Sequence, residues 1–523
     1  MPAEKRYVDA SCDFILNRIR ITVDAISEAL RELGDLLRQA RLAAGLTQEQ
    51  VADLAGISRP RYRDIETGVA AARATTLMNV SRALGLEMML VPQAMVPAVR
   101  ALMRPHDDDD LPAFAIHSLD VFLNALKVGV IVRTPGDFNA FSFNEAYRAT
   151  GGVPILSLSF RAAIGGLRKD PKPVSEALPA FFANLLPEDK LREAMEKHHA
   201  DAVRPGNDFD LLAALGADLP GAVRVLPSDG KKLTPQDSAK GKPKARFSLA
   251  GVQMKLSVMK NTGKGGGLTL PLDDGQGQYI AKFPSTAFPD VSENEFANLA
   301  LAAAIGMDVP ERELVEKSDF EGIPDDFDTL SEGKVLLIRR FDRGPDGARI
   351  HIEDFAQVFG VYPSRKYEGA AYHDVAAAVN AAVSPAAALE FVRRLALAVV
   401  TGNGDMHLKN WSLIYRDEGS MPALAPIYDV LSTIPYIPTD SMALSLGGER
   451  SFKALSAPRW KSFANRARLP EPAVLQAVVE TVARVNEHWW HLPERAVVPA
   501  KVLERIDAHV KVMTPILNSC AEK

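Results

Sequence analysis

Five side chains in the second half of this 523-residue sequence have the types that phosphoryl transfer requires. Asp405 and Asn410 are separated by four residues in "TGNGDMHLKNWSLIY", and Asp429 follows in "APIYDVLST". Moving a phosphoryl group takes a carboxylate beside the attacking hydroxyl and an amide oxygen on a metal ion. A second carboxylate holds the metal that bridges the phosphates. Upstream, Lys282 lies in "GQYIAKFP" and Glu295 in "SENEFANLALAAAIG". A strand lysine can hold the α- and β-phosphates, and a helix glutamate can hold the lysine. Lys409, beside Asn410, is placed to neutralise the transferring group. Asp and Asn at a helix-to-strand junction also serve as plain turn formers. That reading leaves the ordered set Lys282, Asp405, Asn410 and Asp429 unexplained.

The elements that must carry these residues follow from pattern. "KGKPKARFSLAGVQMKLSVMK" passes from a basic loop through Ser248 and Gly251 into an alternating strand, as a loop covering phosphates would. "GQYIAKFP" and "KVLLIRRFDR" read as further strands, and "SENEFANLALAAAIG" as a helix capped by Ser292. The apolar "FVRRLALAVV" reads as a helix leading into the Gly-Asn-Gly-Asp turn. "WSLIY" and "PALAPIY" form a strand pair that returns Asp429 to the same place. Further upstream, "LDVFLNALKVGVIVRT" alternates like two strands, and "FNAFSFNEAYRATGGVPILSLSF" continues in that way. "ALPAFFANLLPEDKLREAMEKHH" reads as helical. Its adjacent His198 and His199 lack the i, i+4 spacing of a helical metal pair and are read as surface residues.

Residues 29 to 92 have a different texture. Leu30, Leu33, Leu36, Leu37 and Ala40 follow the helical period to Gly45. Thr47 and Gln50 make a capping-box pattern for a second helix. Gly56 turns the chain, and Ser58 caps a third helix with Pro60 in its first turn. Gly68 stops it, "TTLMNVSRALG" supplies a fourth, and "LEMMLVP" reads as a short terminal strand. The spacing is that of a helix-turn-helix, whose second helix enters the major groove. Between residues 58 and 82 five arginines face two acids, a local basic patch on a chain of formal charge −5.

Composition sets the boundaries. Hydrophobic content of 47% and charged content of 24% are ordinary for a globular protein. The two cysteines, Cys12 and Cys520, sit at opposite ends and form neither a disulfide framework nor a metal cluster. With no signal peptide at the N-terminus and no long apolar run, the expectation is a cytoplasmic protein without a membrane span. The segment "VPQAMVPAVRALMRPHDDDDLP", with four prolines and the run Asp107–Asp110, reads as a solvated linker.

"LTQEQVADLAGISRPRYRDIETG" closely resembles the repressor-type helix-turn-helix family. That resemblance implies a dimer on palindromic operator DNA. It would put Gln48 and Ser58 on backbone phosphates, with Arg59, Arg61 and Tyr62 facing base edges or phosphates. "FSLAGVQMK", "YIAKFP", "ENEFANLALA", "RRFDR", "HIEDFAQVFG", "GNGDMHLKNWSL" and "YDVLS" resemble, in order, the HipA-type serine/threonine kinase toxins. The linear sequence lacks the eukaryotic H-R-D and D-F-G words, with "GNGD" and "YD" in their place. The resemblance implies an α+β, two-lobed, protein-kinase-like fold preceded by an all-α helix-turn-helix domain. It also implies an ATP- and Mg2+-dependent enzyme.

Position by position, the resemblance makes Asp405 the catalytic aspartate and Asn410 and Asp429 the Mg2+ ligands. Lys282 becomes the ATP-phosphate lysine and Ser248 the autophosphorylation site. Family substrates are aminoacyl-tRNA synthetases, glutamyl-tRNA synthetase being the best-known type. The expected layout is an extension at 1–28, the helix-turn-helix at 29–92 and a linker at 93–112. Behind it come a HipA N-terminal subdomain at 113–230, an N-lobe at 231–343 and a helical C-lobe at 344–523. In the usual family arrangement the helix-turn-helix antitoxin is a separate chain; here a HipB-like segment is joined to the kinase, which suggests a single-chain toxin–antitoxin. The rival readings are a repressor whose inactive kinase fold senses nucleotide, and a small-molecule kinase.

Overall fold

The computed structural model describes residues 30–86 and 116–521, apart from short gaps and the stretches 229–254, 261–267, 270–276 and 322–332. Ser248, Gly251, "LEMMLVP" beyond Leu86, the linker and the N-terminal extension therefore lie outside the described residues. The chain divides into two compact units, Met1–Val96 and Pro97–Lys523.

In the first unit, four helices surround a small core: α1 (33–42), α2 (Gln48–Ala55), α3 (Arg59–Glu66) and α4 (Ala74–Ala83). Thr47 and Gln50 cap α2 reciprocally, satisfying two backbone donors that the helix itself cannot. Gly56 then takes a left-handed conformation (φ 68°) that lets the chain double back into α3. Ser58 is the N-cap residue of α3, but its side chain makes no capping hydrogen bond. Val51, Ala55, Tyr62, Ile65 and Val80 fill the core.

The second unit opens with a five-stranded antiparallel sheet, order β4-β3-β2-β1-β5. Its strands are β1 (Ser118–Leu123), β2 (Leu126–Thr134), β3 (Phe138–Phe143), β4 (Val174–Ser175) and β5 (Val223–Pro227). The expected strands after Phe143 are instead a helical turn, Glu145–Ala149, and a 3-10 turn, Leu158–Phe160. Asn144 caps the first and Ser157 the second, and such side-chain caps compete with strand pairing. Helices α5 (Asp189–His198) and α6 (Asp208–Leu215) complete this subdomain. Among the described residues no three His, Cys, Asp or Glu side chains group as a metal cluster.

A six-stranded sheet follows, ordered β10-β7-β6-β8-β11-β9. Its central strands are β6 (Lys255–Lys260), β8 (Tyr279–Lys282) and β11 (Lys334–Arg339), flanked by β7 (Leu268–Thr269), β9 (Arg312–Glu316) and β10 (Phe320–Glu321). Helix α7 (Val291–Ala304) is buried along most of its length, including Asn294, Glu295, Asn298, Leu299 and Leu301. Its N-cap is Asp290 (φ 61°) and its first residue Val291, so Ser292 lies in the first turn rather than capping it.

Beyond the sheet lies a helical lobe of α8 (Tyr372–Ala382), α9 (Pro385–Thr401), α10 (Ala457–Ala467), α11 (Glu471–Trp489) and α12 (Ala500–Asn518). A small antiparallel sheet, β12 (His351–Asp354), β13 (Ser412–Tyr415) and β14 (Ala423–Leu424), completes the lobe. The pairing of β13 with β14 matches the pair read from "WSLIY" and "PALAPIY". The core packs Leu395, Val399, Trp460 and Val482 with Leu299 and Leu301 of α7. That packing fixes α7 to the helical lobe, and α7 also packs on β11 and β9.

Candidate active site

Helix α9 sets the site's first half. Ser384 caps it and Pro385 occupies its first turn; Gly402 (φ 75°) ends it. Any side chain at Gly402 would press on Ile434, 2.5 Å from where its Cβ would stand, so the turn closes only around glycine. The loop from 403 to 410 then holds itself in shape. Asp405 N–H donates to Asn403 Oδ1 (3.1 Å), and Asn410 Nδ2 donates to the Asp405 carbonyl (2.7 Å). Asn403 Nδ2 reaches the Asp429 carbonyl (3.3 Å), tying the two acidic segments together. Asp429 sits in the left-handed region at φ 54°, a conformation that Asp tolerates and that concentrates at functional sites.

The second half comes from strand register. Lys255 of β6 lies directly opposite Lys282 of β8. Two like charges across a strand pair repel unless something neutralises them. Here Asp429 does so: Lys255 Nζ lies 3.3 and 3.1 Å from its two carboxylate oxygens. Lys282 Nζ contacts Asp429 Oδ1 and also Glu295 Oε1 of α7. Burial works against every charge in this quartet. The two lysines outweigh burial at Asp429 and hold its carboxyl well below the usual range. Asp429 and Glu295 likewise outweigh burial at Lys282 and raise it. At Lys255 burial wins and its ammonium is pulled down.

Asp405 lies across the cleft from these lysines. Burial raises its carboxyl, opposed by a 2.7 Å hydrogen bond from the Tyr367 hydroxyl to Oδ1. The Tyr367 ring stands edge-on to His407, 5.0 Å between centroids. Burial pushes His407 down to about 3, so it stays neutral.

Lys282, Glu295, Asp405, Asn410 and Asp429 are thus brought together, as their types required. Lys255 and Tyr367 join them unforeseen. Lys409 departs from expectation. Its ammonium donates to Glu188 Oε1 (2.6 Å) and to the Asn184 carbonyl (3.1 Å) of the preceding subdomain. Glu188 also binds Lys366 at 2.6 Å. Already paired and buried, Lys409 is not the free cation beside the transferring group that its position suggested.

Lys255, Lys282 and Asp429 also form a boundary. On one side an apolar slot is walled by Ile280, Ile338, Phe341, Ile352 and Tyr428, close to the connection between the lobes at 339–342. On the other a cavity of about 470 Å3 contains Asp405 and Tyr367. Lys255, Lys282, His407, Asn410 and Asp429 line both. The phosphates of a nucleotide would lie along the lysines between the two spaces. Asp429 carboxylate and the Asn410 amide oxygen are hard donors. Mg2+ takes one or two such donors together with substrate phosphates. A nucleotide and its metal therefore fit these residues.

The first unit places its candidates differently. Arg59, Arg61 and Ser58 are exposed on α3 or at its start. Arg61 also donates to the Ala71 carbonyl at 2.9 Å. Tyr62 is the correction: it is completely buried and its hydroxyl donates to Glu66 Oε1 at 3.1 Å, so it cannot face bases or phosphates. The helical period of α3 turns it inward, three residues before core Ile65 on the same face. Gln48 donates its side-chain amide to the other Glu66 oxygen.

A lysine–glutamate pair across a cleft from an Asp-x4-Asn loop, held between a β-rich lobe and a helical one, defines a kinase-like phosphotransfer fold. The comparisons narrow it. A HipA-like C-terminal domain model matches residues 247–489, a HipA N-terminal domain model 119–226 and a helix-turn-helix model 37–90. The chain is 44% identical to the Sinorhizobium fredii protein Y4dM, provisionally named a kinase, over 75% of this chain and 96% of that one. It is 26% identical to the serine/threonine-protein kinase toxin HipA of Shewanella oneidensis, over 60% and 76%. Among solved structures, it resembles a complex of S. oneidensis HipA, HipB and operator DNA. That match has a TM-score of 0.58 and 22% identity, covering 76% of this chain and 96% of that one. The chain belongs to the HipA-like kinase family and carries its own N-terminal helix-turn-helix domain.

Proposed function

We propose that the chain is an ATP- and Mg2+-dependent serine/threonine protein kinase that acts as a single-chain toxin–antitoxin. The observation that carries this reading is the quartet of Lys255, Lys282, Glu295 and Asp429 facing Asp405 across one cleft. Bound ATP–Mg2+ would supply the transferable phosphoryl group. Lys282, oriented by Glu295, holds phosphate charge, while Asp429 and the Asn410 oxygen hold the metal. Asp405 takes the proton of the acceptor hydroxyl, and Tyr367 fixes which carboxylate oxygen is presented. Transfer needs positioning and charge more than covalent catalysis, which such a rigid, charge-paired cleft supplies.

Ser248 is the proposed autophosphorylation site. A phosphate adds a charge of about −1.5 to −2 to a loop that would otherwise meet ATP's own phosphates, so modification should shut the kinase down. The helix-turn-helix, with Arg59 and Arg61 exposed, would bind operator DNA as a homodimer and repress the chain's own operon. Tethering holds a restraining domain at an effective concentration of about a millimolar, hard to dilute away. The protein target, an aminoacyl-tRNA synthetase on family grounds, would be inactivated and growth arrested.

The test is incubation with [γ-³²P]ATP and Mg2+, comparing wild type with Asp405→Gln. Label mapping to Ser248 in wild type and absent from the variant supports the reading. Label absent from full-length protein but present on residues 113–523 supports inhibition in cis. Silence in both, with nucleotide still bound, favours a nucleotide-sensing repressor instead.

A further inference from the structure

The cavity on the Asp405 side has one wall that phosphoryl transfer does not need. Phe288 and Val291, at the start of α7, face Tyr436, Ile437 and Met442 from the helical lobe. Phe288 and Tyr436 meet edge-to-face, 5.6 Å between centroids, and build the wall's back. Ile437 stands at its mouth, 44% exposed, one of the few large apolar side chains left so open among the described residues of the catalytic unit. Beneath it the frame is firm. Asn294 Nδ2 donates to the Ser432 carbonyl (2.8 Å) and to the Tyr436 hydroxyl (3.2 Å), locking α7 to the segment that carries Tyr436 and Ile437. Across the cavity, Arg450 donates to the Tyr367 carbonyl at 3.0 Å and steadies the opposite rim.

Geometry decides what comes through this opening. The slot and the cavity share the five residues that line both, so the two spaces meet along Lys255 and Lys282. Asp405 and Tyr367 belong to the cavity alone. An acceptor hydroxyl reaching Asp405 therefore shares this cavity with Ile437. A metabolite kinase would bury most of its small acceptor inside a closed pocket. Here an open, half-apolar entrance suits a chain whose hydroxyl residue goes in while a neighbour stays at the mouth.

We propose that the wall of Phe288, Val291, Tyr436, Ile437 and Met442 is a specificity subsite for a protein segment carrying a large apolar residue beside the phosphorylated serine or threonine. This deepens the kinase reading and rests on it. The occupant is an acceptor peptide because the wall is continuous with the catalytic carboxylate. Apolar pockets of this kind discriminate modestly, so the preference should be about tenfold rather than absolute.

The test uses the full-length protein with ATP–Mg2+ and a library of serine-containing peptides in which each flanking position is Leu, Phe, Ser or Asp. Wild type should favour Leu or Phe at one flanking position by about tenfold in kcat/KM over Ser. In Ile437→Asp, whose side chain is open enough to leave folding intact, that ratio should fall toward one, mainly through KM. Val291→Asp, tested alongside for its thermal midpoint, should act in the same direction. Peptides labelled by wild type without flanking preference overturn the subsite and leave the kinase standing. A preference untouched by either variant also overturns it. No phosphotransfer to any acceptor, including Ser248, by the full-length protein or by residues 113–523 overturns the kinase reading itself.

Discussion

Each of the two units buries a carboxylate among donors, and the two arrangements differ in what they leave open. In the helix-turn-helix, Glu66 accepts from Arg41, Gln48 and Tyr62, all three within hydrogen-bond reach on the inside of the domain. Burial opposes its charge, but Arg41 and the two neutral donors win and hold the carboxyl below its usual range. Nothing reactive remains: the cluster joins α1, α2 and α3. In the catalytic unit, Asp429 is shared by two lysines, sits at a strained backbone position and opens onto two cavities. Its charges neutralise one another where two cavities meet. A closed cluster builds a fold, and an open one is available for chemistry.

Substitutions should separate the two kinds. The largest effect belongs to Asp405→Asn, which should lower phosphotransfer by about 10²–10⁴-fold while leaving the thermal midpoint of the protein almost unchanged. A matching loss of stability would make Asp405 part of a structural cluster. Glu66→Ala should do the reverse. It strands the Arg41 guanidinium in a largely buried place, costing about 3 kcal/mol locally. Hydrogen exchange should speed up through 33–83 of the full-length protein, with the kinase cleft unaffected. Protection lost in both units together would contradict their division.

Much of this was legible in the sequence because the catalytic residues lie in local words with fixed spacing. Asp405, Asn410 and Asp429 needed only a loop, a strand pair and a turn. Lys282 and Glu295 needed one strand and the helix after it. Lys255 was missed because its partner is set by strand register, and "QMKLSVMK" does not reveal that Lys255 faces Lys282. Tyr367 was missed because it lies 38 residues from Asp405 in an irregular segment with no period to read. Lys409 was misassigned for a similar reason: Glu188 lies 221 residues upstream, in another subdomain.

That distant carboxylate gives the catalytic unit a closed cluster of its own, with a pH signature. Burial opposes the charge on Glu188, but Lys409 and Lys366 hold its carboxyl down to about 2 against an ordinary 4.5. A depressed carboxylate stabilises the fold fully above the unfolded value and loses that contribution as pH falls through the folded one. Acid titration of wild type should therefore show stability lost between pH 4.5 and about 2. Glu188→Gln should start less stable at neutral pH and show a shallower loss over the same window. An unchanged acid slope would mean the two lysines are held by something else.

The smallest effect concerns Tyr62, whose place on α3 suggested a DNA contact. Tyr62→Phe keeps the ring in the core and removes only the hydroxyl bonded to Glu66, so it should cost about 1 kcal/mol. Operator affinity and its dependence on salt should not move. Arg59→Ala, on the exposed face of the same helix, should leave stability alone. If Arg59 meets a phosphate, the slope of log affinity against log salt should fall by about one. The two residues are three apart, nearly one helical turn, yet one is fully buried and the other exposed. Their responses should divide along that burial, because a side chain sealed behind Glu66 reaches DNA only by unfolding the helix that presents Arg59.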